Sequence, residues 1–174
     1  MKFTITAGHS NVDSGAIGNG FKEAELATEL RNIVAVKLRE MGHTVVTDGT
    51  GTTNQPLTTA ISLIKQSTVA VEMHFNAATP TAKGVETIAL PKDKLLAQKL
   101  SQAIAGVLGT SIRGDAGFID QTKSARGRLG YINAGGLIIE TCFISNANEM
   151  AIYQAKKWLV ASAIAKTLDD WSKR

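Results

Sequence analysis

Segments of two hydrophobic periods take turns along the chain, and that alternation restricts the fold more than any other feature. From Lys2 to Ala7 the apolar residues Phe3, Ile5 and Ala7 alternate with polar ones, the pattern of a half-buried strand. Gly8 and a polar, glycine-spaced loop to Gly20 end it. Leu26, Leu30, Ile33, Val34, Leu38 and Met41 then recur at helical spacing, with Gly42 as the stop. Thr44 to Thr47 reads as a second strand, Leu57 to Gln66 after Pro56 as a helix and Val69 to Phe75 as a third strand. Gly84 to Leu90 is a further strand and Lys92 to Leu108 a further helix. An irregular basic stretch follows, then strands near Leu129 to Ile132 and Leu137 to Thr141, and a last helix from about Ala147 to Trp171. The alternation predicts an α/β fold in a single domain, residues 1–174, with a mostly parallel, twisted central sheet of about six strands flanked by helices on both faces.

Composition narrows the class. A chain of 174 residues fits one domain, and 44% hydrophobic with 20% charged residues is the balance of an ordinary globular protein rather than a disordered or coiled-coil one. No apolar run approaches the roughly 20 residues of a bilayer helix, so no membrane insertion is expected. The opening MKFTITAGHS holds one lysine and no apolar stretch of secretory length, which reads as a leaderless chain made in the cytoplasm. One cysteine, Cys142, can form neither an internal disulfide nor a thiolate metal cluster. Nineteen Lys and Arg against fifteen Asp and Glu leave +4, a balance that favours anionic partners. Nucleic acid, acidic lipid and bacterial envelope polymers all qualify on charge, and the lack of basic runs and aromatic signatures speaks against nucleic acid.

In an open sheet of this kind ligands bind outside the carboxyl ends of the strands, so polar residues that end strands are the first candidates for chemistry. His9 follows the first strand, His74 closes VAVEMH, and Glu140 closes GLIIE where the run would otherwise stay apolar. Imidazoles and carboxylates gathered at one end of a sheet suit zinc, which takes nitrogen and oxygen ligands and, in catalytic sites, keeps one position open. Glu23 is the best third ligand, because it lies in the first turn of the helix that returns to the same end of the sheet. Glu25 points some 200° away from it and Glu29 sits further along the helix, so both read as solvated. Burying Glu140 without a partner is costly, which assigns it a metal, base or ion-pair role. Glu72 shares a strand face with His74 and is either an acceptor that orients the imidazole or the partner of a helix lysine. His43, just after Gly42, reads as surface. Cys142 with His74 or His9 would make a nucleophile pair, but a lone thiol on an apolar strand is usually inert core. Gly15, Gly18 and Gly20 fit no phosphate-binding motif and read as a loop bent around the site.

Four stretches, in order, resemble the zinc-dependent N-acetylmuramoyl-L-alanine amidases of the type-3 fold. GHSNVDSGAIGNGFKE is similar to that family's opening histidine, DxGAxG loop and ligand glutamate, and VEMHFNA to its IHxNA strand end. KGVETIAL resembles its following strand, and ETCFISNANE its ExGFISNxxE segment. The resemblance implies that His9, Glu23 and His74 hold Zn²⁺ and that Glu140 is the catalytic carboxylate. The substrate implied is peptidoglycan, cut between the lactyl group of muramic acid and L-alanine. Departures occur where Ser10 and Asn11 replace the glycine after GH and where Thr47 and Asp48 stand at the end of the second strand. The stretch from Arg113 to Arg128 falls outside the matched motifs.

A compact, basic, leaderless wall hydrolase without an added wall-binding module resembles a bacteriophage endolysin catalytic domain. Such a monomer would reach the wall once the inner membrane is permeabilised. Two other readings keep the fold: a non-catalytic peptidoglycan-binding module, against which Glu140 speaks, and a metallopeptidase cutting ordinary peptides.

Overall fold

A computed structural model describes residues 1–123 and 128–174. In chain order these form β1 (Lys2–Ala7), β2 (Ile17–Gly18), β3 (Phe21–Lys22), α1 (Glu23–Glu40), β4 (Thr44–Thr47), α2 (Leu57–Ile64) and β5 (Val69–Asn76). There follow β6 (Glu86–Ala89), α3 (Lys94–Leu108), β7 (Phe118–Asp120), α4 (Gly130–Asn133), β8 (Leu137–Phe143) and α5 (Ala147–Ser172). Six strands make one sheet in the order β4-β1-β5-β8-β6-β7, parallel throughout except for β6 against β8.

The alternation of each strand makes the two surfaces of this sheet unlike. Phe3, Ile5, Val71, Met73, Phe75, Leu137 and Ile139 face the main core, which α1, α3 and α5 close with Leu30, Leu38, Leu100, Ile104, Val160 and Ile164. On the other surface Ala70, Ile88 and Ile138 meet only the short α2 and α4, through Ala60, Ile64, Tyr131 and Ile132. Thr6, Glu72, His74, Glu86 and Glu140 share this second surface by strand period. The long helices thus hold the sheet flat against one core, and the thinly covered surface carries the polar residues. β8 contains a bulge beside them: His74 pairs with Glu140 but Asn76 with Phe143, so two residues of β5 oppose three of β8.

The predicted strand near Leu129 to Ile132 is instead the helix α4. A four-residue apolar run does not separate the two periods. Tyr131 and Ile132, neighbours in sequence, are both buried, as a helix wedged between sheet and α2 allows. The sixth strand is β7, which pairs Phe118 with Thr87 inside the stretch read as irregular. Of that stretch, residues 124–127 lie outside the described residues. β2 and β3 form a hairpin whose two loop residues, Asn19 and Gly20, both take positive φ (52° and 82°), the type I′ geometry that Asn-Gly favours.

His43 is not surface. Its side chain is only 8% exposed, with Nε2 3.1 Å from Asp169 of α5 and its ring packed edge-on to Phe3. The largest fully buried side chain is Arg31 of α1. Its Nη1 donates to Asp48 Oδ1 at 3.1 Å, and Asp48, just past β4, accepts from the backbone N–H of Ala7. This pair fastens α1 to the ends of β1 and β4.

Burial raises the Asp48 carboxyl above its ordinary range against the opposing pull of Arg31. Removing that cation leaves a buried, uncompensated charge, so Arg31→Met should cost roughly 3–5 kcal/mol at neutral pH in urea unfolding. The folded-state pKa of Asp48 then exceeds the unfolded one, so the penalty should shrink as pH falls through the folded value and vanish below about pH 4.

Candidate metal centre and active site

α1 starts without a side-chain cap, because Lys22 precedes it. The loop supplies the missing acceptors: the N–H groups of Glu23 and Ala24 donate to the carbonyls of Ala16 (2.9 Å) and Ser14 (3.0 Å). The Glu23 side chain completes the exchange, with Oε2 accepting from Ala16 N–H and Oε1 from Phe75 N–H, each at 3.0 Å. The same two oxygens lie 2.8 Å from His9 Nε2 and 2.8 Å from His74 Nδ1. Glu23 is 1% exposed. Burial pushes its carboxyl up, but the bonds and charges of His74 and His9 outweigh that and hold it far below the usual carboxylate range.

His9 adopts φ +64°, a conformation that costs a residue with a Cβ roughly 1–2 kcal/mol. Long-range bonds beside it hold the loop: Asn54 N–H donates to Asn11 Oδ1 (2.7 Å), Asn11 N–H to the Asn54 carbonyl (3.0 Å), and Asn54 Nδ2 to the Gly8 carbonyl (2.8 Å). The outer nitrogen of His9, Nδ1, is 3.1 Å from Asp13 Oδ2, while Asp13 Oδ1 accepts from Gly15 N–H. His74 is served similarly from inside the sheet. Its Nε2 is 3.1 Å from Glu72 Oε1, and Thr6 Oγ1 lies 3.3 Å from Glu72 Oε2 and 3.0 Å from Tyr131 Oη. Burial lowers both imidazole pKa values, but carboxylate contacts prevail. His9 is raised by Glu23, and His74 is raised to about 10 by bonds to Glu23 and Glu72 and by the charges of Glu72 and Glu140. Each imidazole thus has one nitrogen toward Glu23 and the other on a separate carboxylate.

His9, Glu23 and His74 each offer one ligand atom within 4.8 Å of the others. His9 Nε2 is buried and lies 2.8 Å from Glu23 Oε2 without the geometry of a hydrogen bond. Two nitrogens and one carboxylate match the donor set of an open zinc site. The surrounding backbone leaves no room for more. A Cβ on Gly8 would stand 2.2 Å from His74 Cε1, and one on Gly15, at φ +62°, 2.5 Å from His9 Nε2 and 2.8 Å from Glu23 Oε2.

Glu140 stands next to His74 across the sheet, in the middle of β8 rather than at its end. It is 1% exposed and is the register partner of His74 on one side and of Glu86 on the other. A cleft of about 350 Å³ opens between His9, Asp13, Leu57, Glu72, His74 and Tyr131. Glu72 proves to be the acceptor that orients His74. Glu25 is 70% exposed beside Lys22, and Glu29 reaches Lys157 of α5. The Cys142 thiol is buried and pushed well above its ordinary pKa by desolvation and by Glu149 and Glu140, which suits inert core rather than a nucleophile. Asp13 was legible as part of the DxGAxG motif but had no assigned role. Thr6 and Glu86 carried no signal, because strand pairing alone brings them near, and Tyr131 arrives on α4, which the sequence reads as a strand.

The sequence profile described as N-acetylmuramoyl-L-alanine amidase matches residues 4–170. The curated protein LytC of Bacillus subtilis (strain 168), an N-acetylmuramoyl-L-alanine amidase, is 28% identical over 165 residues. That match covers 87% of this chain but 32% of LytC, so the chain spans about a third of that relative. A crystal structure from Neisseria meningitidis, described as a candidate N-acetylmuramoyl-L-alanine amidase, superposes with a TM-score of 0.89 at 44% identity, covering 96% of this chain and 93% of that one. The amidase AmiC2 of Nostoc punctiforme shares the fold, with a TM-score of 0.82 at 19% identity over 100% of this chain and 98% of its own.

Gly8→Ala should displace the His74 ring and leave a folded protein that retains far less metal after dialysis, read by elemental analysis beside a thermal melt. The overpacking itself is expected to cost about 1–3 kcal/mol.

Proposed function

The chain belongs to the N-acetylmuramoyl-L-alanine amidase family, and from that premise and the geometry above we propose that it hydrolyses the amide between the lactyl group of N-acetylmuramic acid and L-alanine in peptidoglycan. The observation that carries the proposal is the pairing of a His9–Glu23–His74 ligand set with a buried carboxylate, Glu140, in strand register with His74. Zn²⁺ is the proposed occupant, and when bound it supplies Lewis acidity and lowers the pKa of a coordinated water to about 7.

The protein's own residues account for the rest of the chemistry. Glu140 takes the proton of the attacking water and returns it to the departing L-alanine nitrogen, the task of a general base that becomes a general acid. Its place in the middle of β8 keeps it on the same surface as His74. Asp13 and Glu72 hold the outer nitrogens of the two imidazoles and so fix which nitrogen faces Glu23. Two backbone N–H groups, of Ala16 and Phe75, position Glu23. The cleft beside Tyr131 and Leu57 receives the muramyl peptide. We propose residues 1–174 as one catalytic unit, acting in host lysis, with the net charge of +4 promoting adherence to anionic envelope polymers.

Glu140→Gln should lower turnover of muramyl peptide by about 10²- to 10⁴-fold while metal content stays at the wild-type level. A variant of wild-type activity would remove Glu140 from this role. Chelator-treated enzyme should lose activity and regain it with added Zn²⁺, and muramyl peptide should be cut where free stem peptide is not. Binding to purified sacculi should weaken as salt rises from low to high concentration, as charge-driven adherence requires.

A further inference from the structure

Arg113 lies just beyond the β6 side of Glu140. The register across the sheet runs from His74 on β5 to Glu140 on β8 to Glu86 on β6, all on the surface that bears the proposed site. Glu86 would place a second buried negative charge beside Glu140, but it is clamped: Asn76 Nδ2 donates to Oε1 at 3.1 Å and Arg113 Nε to Oε2 at 2.6 Å. The guanidinium also stacks over the ring of Phe143, with its centre 5.0 Å from the ring centroid. The ring covers one side of the guanidinium, and the bond to Glu86 engages one of its five N–H donors. Its terminal nitrogens have no hydrogen-bond acceptor among the described residues, and the side chain is 43% exposed. A guanidinium held by its Nε and its face, with its outer fork left over, is preorganised for a carboxylate.

The proposed substrate carries such a group. Beyond L-alanine the stem peptide continues into residues with carboxylates that are free or amidated. An extended peptide advances about 3.3–3.6 Å per residue, so the second and third stem residues lie roughly 7–11 Å from the scissile carbonyl. Strands sit about 4.8 Å apart, so β6 is roughly 10 Å from β5, a matching span. We propose that Arg113 binds a stem-peptide carboxylate, with Glu86, Asn76 and Phe143 as its mount, and thereby makes the enzyme prefer acidic over amidated stems. The proposal rests on the amidase reading and adds to it the direction in which the peptide leaves the site: across Glu140 toward β6.

The test uses metal-loaded full chain and three synthetic muramyl peptides: both stem carboxylates free, the second residue amidated, and the third residue amidated. Amidation at the position that Arg113 contacts should lower kcat/KM by roughly 10- to 100-fold, the range of a charge-assisted hydrogen bond, mainly through KM. Arg113→Lys keeps a cation for Glu86 but loses the fork, and should reduce the acid-to-amide ratio at least several-fold. Thermal melts of Arg113→Lys check that it folds. If Arg113 only neutralised Glu86, the variant would slow all three substrates by the same factor and leave the ratio intact. An unchanged ratio in Arg113→Lys, or equal wild-type rates on all three peptides, overturns the assignment and leaves the amidase reading standing. Cleavage of none of them by the wild type overturns both.

Discussion

The Glu23 carboxylate is the joint on which the site depends. Each of its oxygens sits between a backbone N–H and an imidazole, so one side chain links the loop through Ala16, the start of α1 and the tip of β5. The imidazoles come from positions 65 residues apart, and neither could stay beside the other on the strength of its own strand. Water is excluded from the carboxylate, which must keep partners for both oxygens, and this need aligns the three segments. The cost of a left-handed His9 is offset by the same arrangement and by the paired asparagines that lock the loop to residues 52–54.

A second constraint is the division of labour between the two sheet surfaces. α1, α3 and α5 bury the apolar side chains of β1, β5 and β8 and supply most of the hydrophobic stabilisation. That leaves the opposite surface able to carry Thr6, Glu72, His74, Glu86 and Glu140 under a thin cover. Two of these carboxylates are held by named partners, Glu72 by His74 and Thr6 and Glu86 by Asn76 and Arg113. Polar groups of this density could not be buried beneath a long apolar helix.

Much of this was legible in the sequence, and the limits of that legibility have physical causes. The strands and long helices follow from period, and the nearness of His9, Glu23 and His74 from residues that end strands or open a helix, whereas Glu140, expected to close its strand, stands in the middle of β8. The run Leu129 to Ile132 was too short to reveal its period and became a helix, while Phe118–Asp120, hidden between glycines and a polar turn, became the edge strand. The Asn19–Gly20 hairpin carried a turn signal that the surrounding glycines masked. Arg31, Asp48 and His43 became interior residues through partners on other elements, at Asp48, Ala7 and Asp169, and no local pattern announces such a pairing.

The bulge in β8 has a consequence for how this strand can vary. Glu140 and Phe143 share a surface because the bulge takes up one extra residue between them; Cys142 and Ile144 meanwhile reach the main core. Deleting a single residue at 141 would put Glu140 and Phe143 two apart, the spacing at which strict alternation already keeps them on one surface and Cys142 toward the core, so the bulge would have nothing left to correct. The bulge, not the alternation of the strand, thus accommodates the extra residue between the acid and Phe143, and homologous chains that lack that residue should lack the bulge as well.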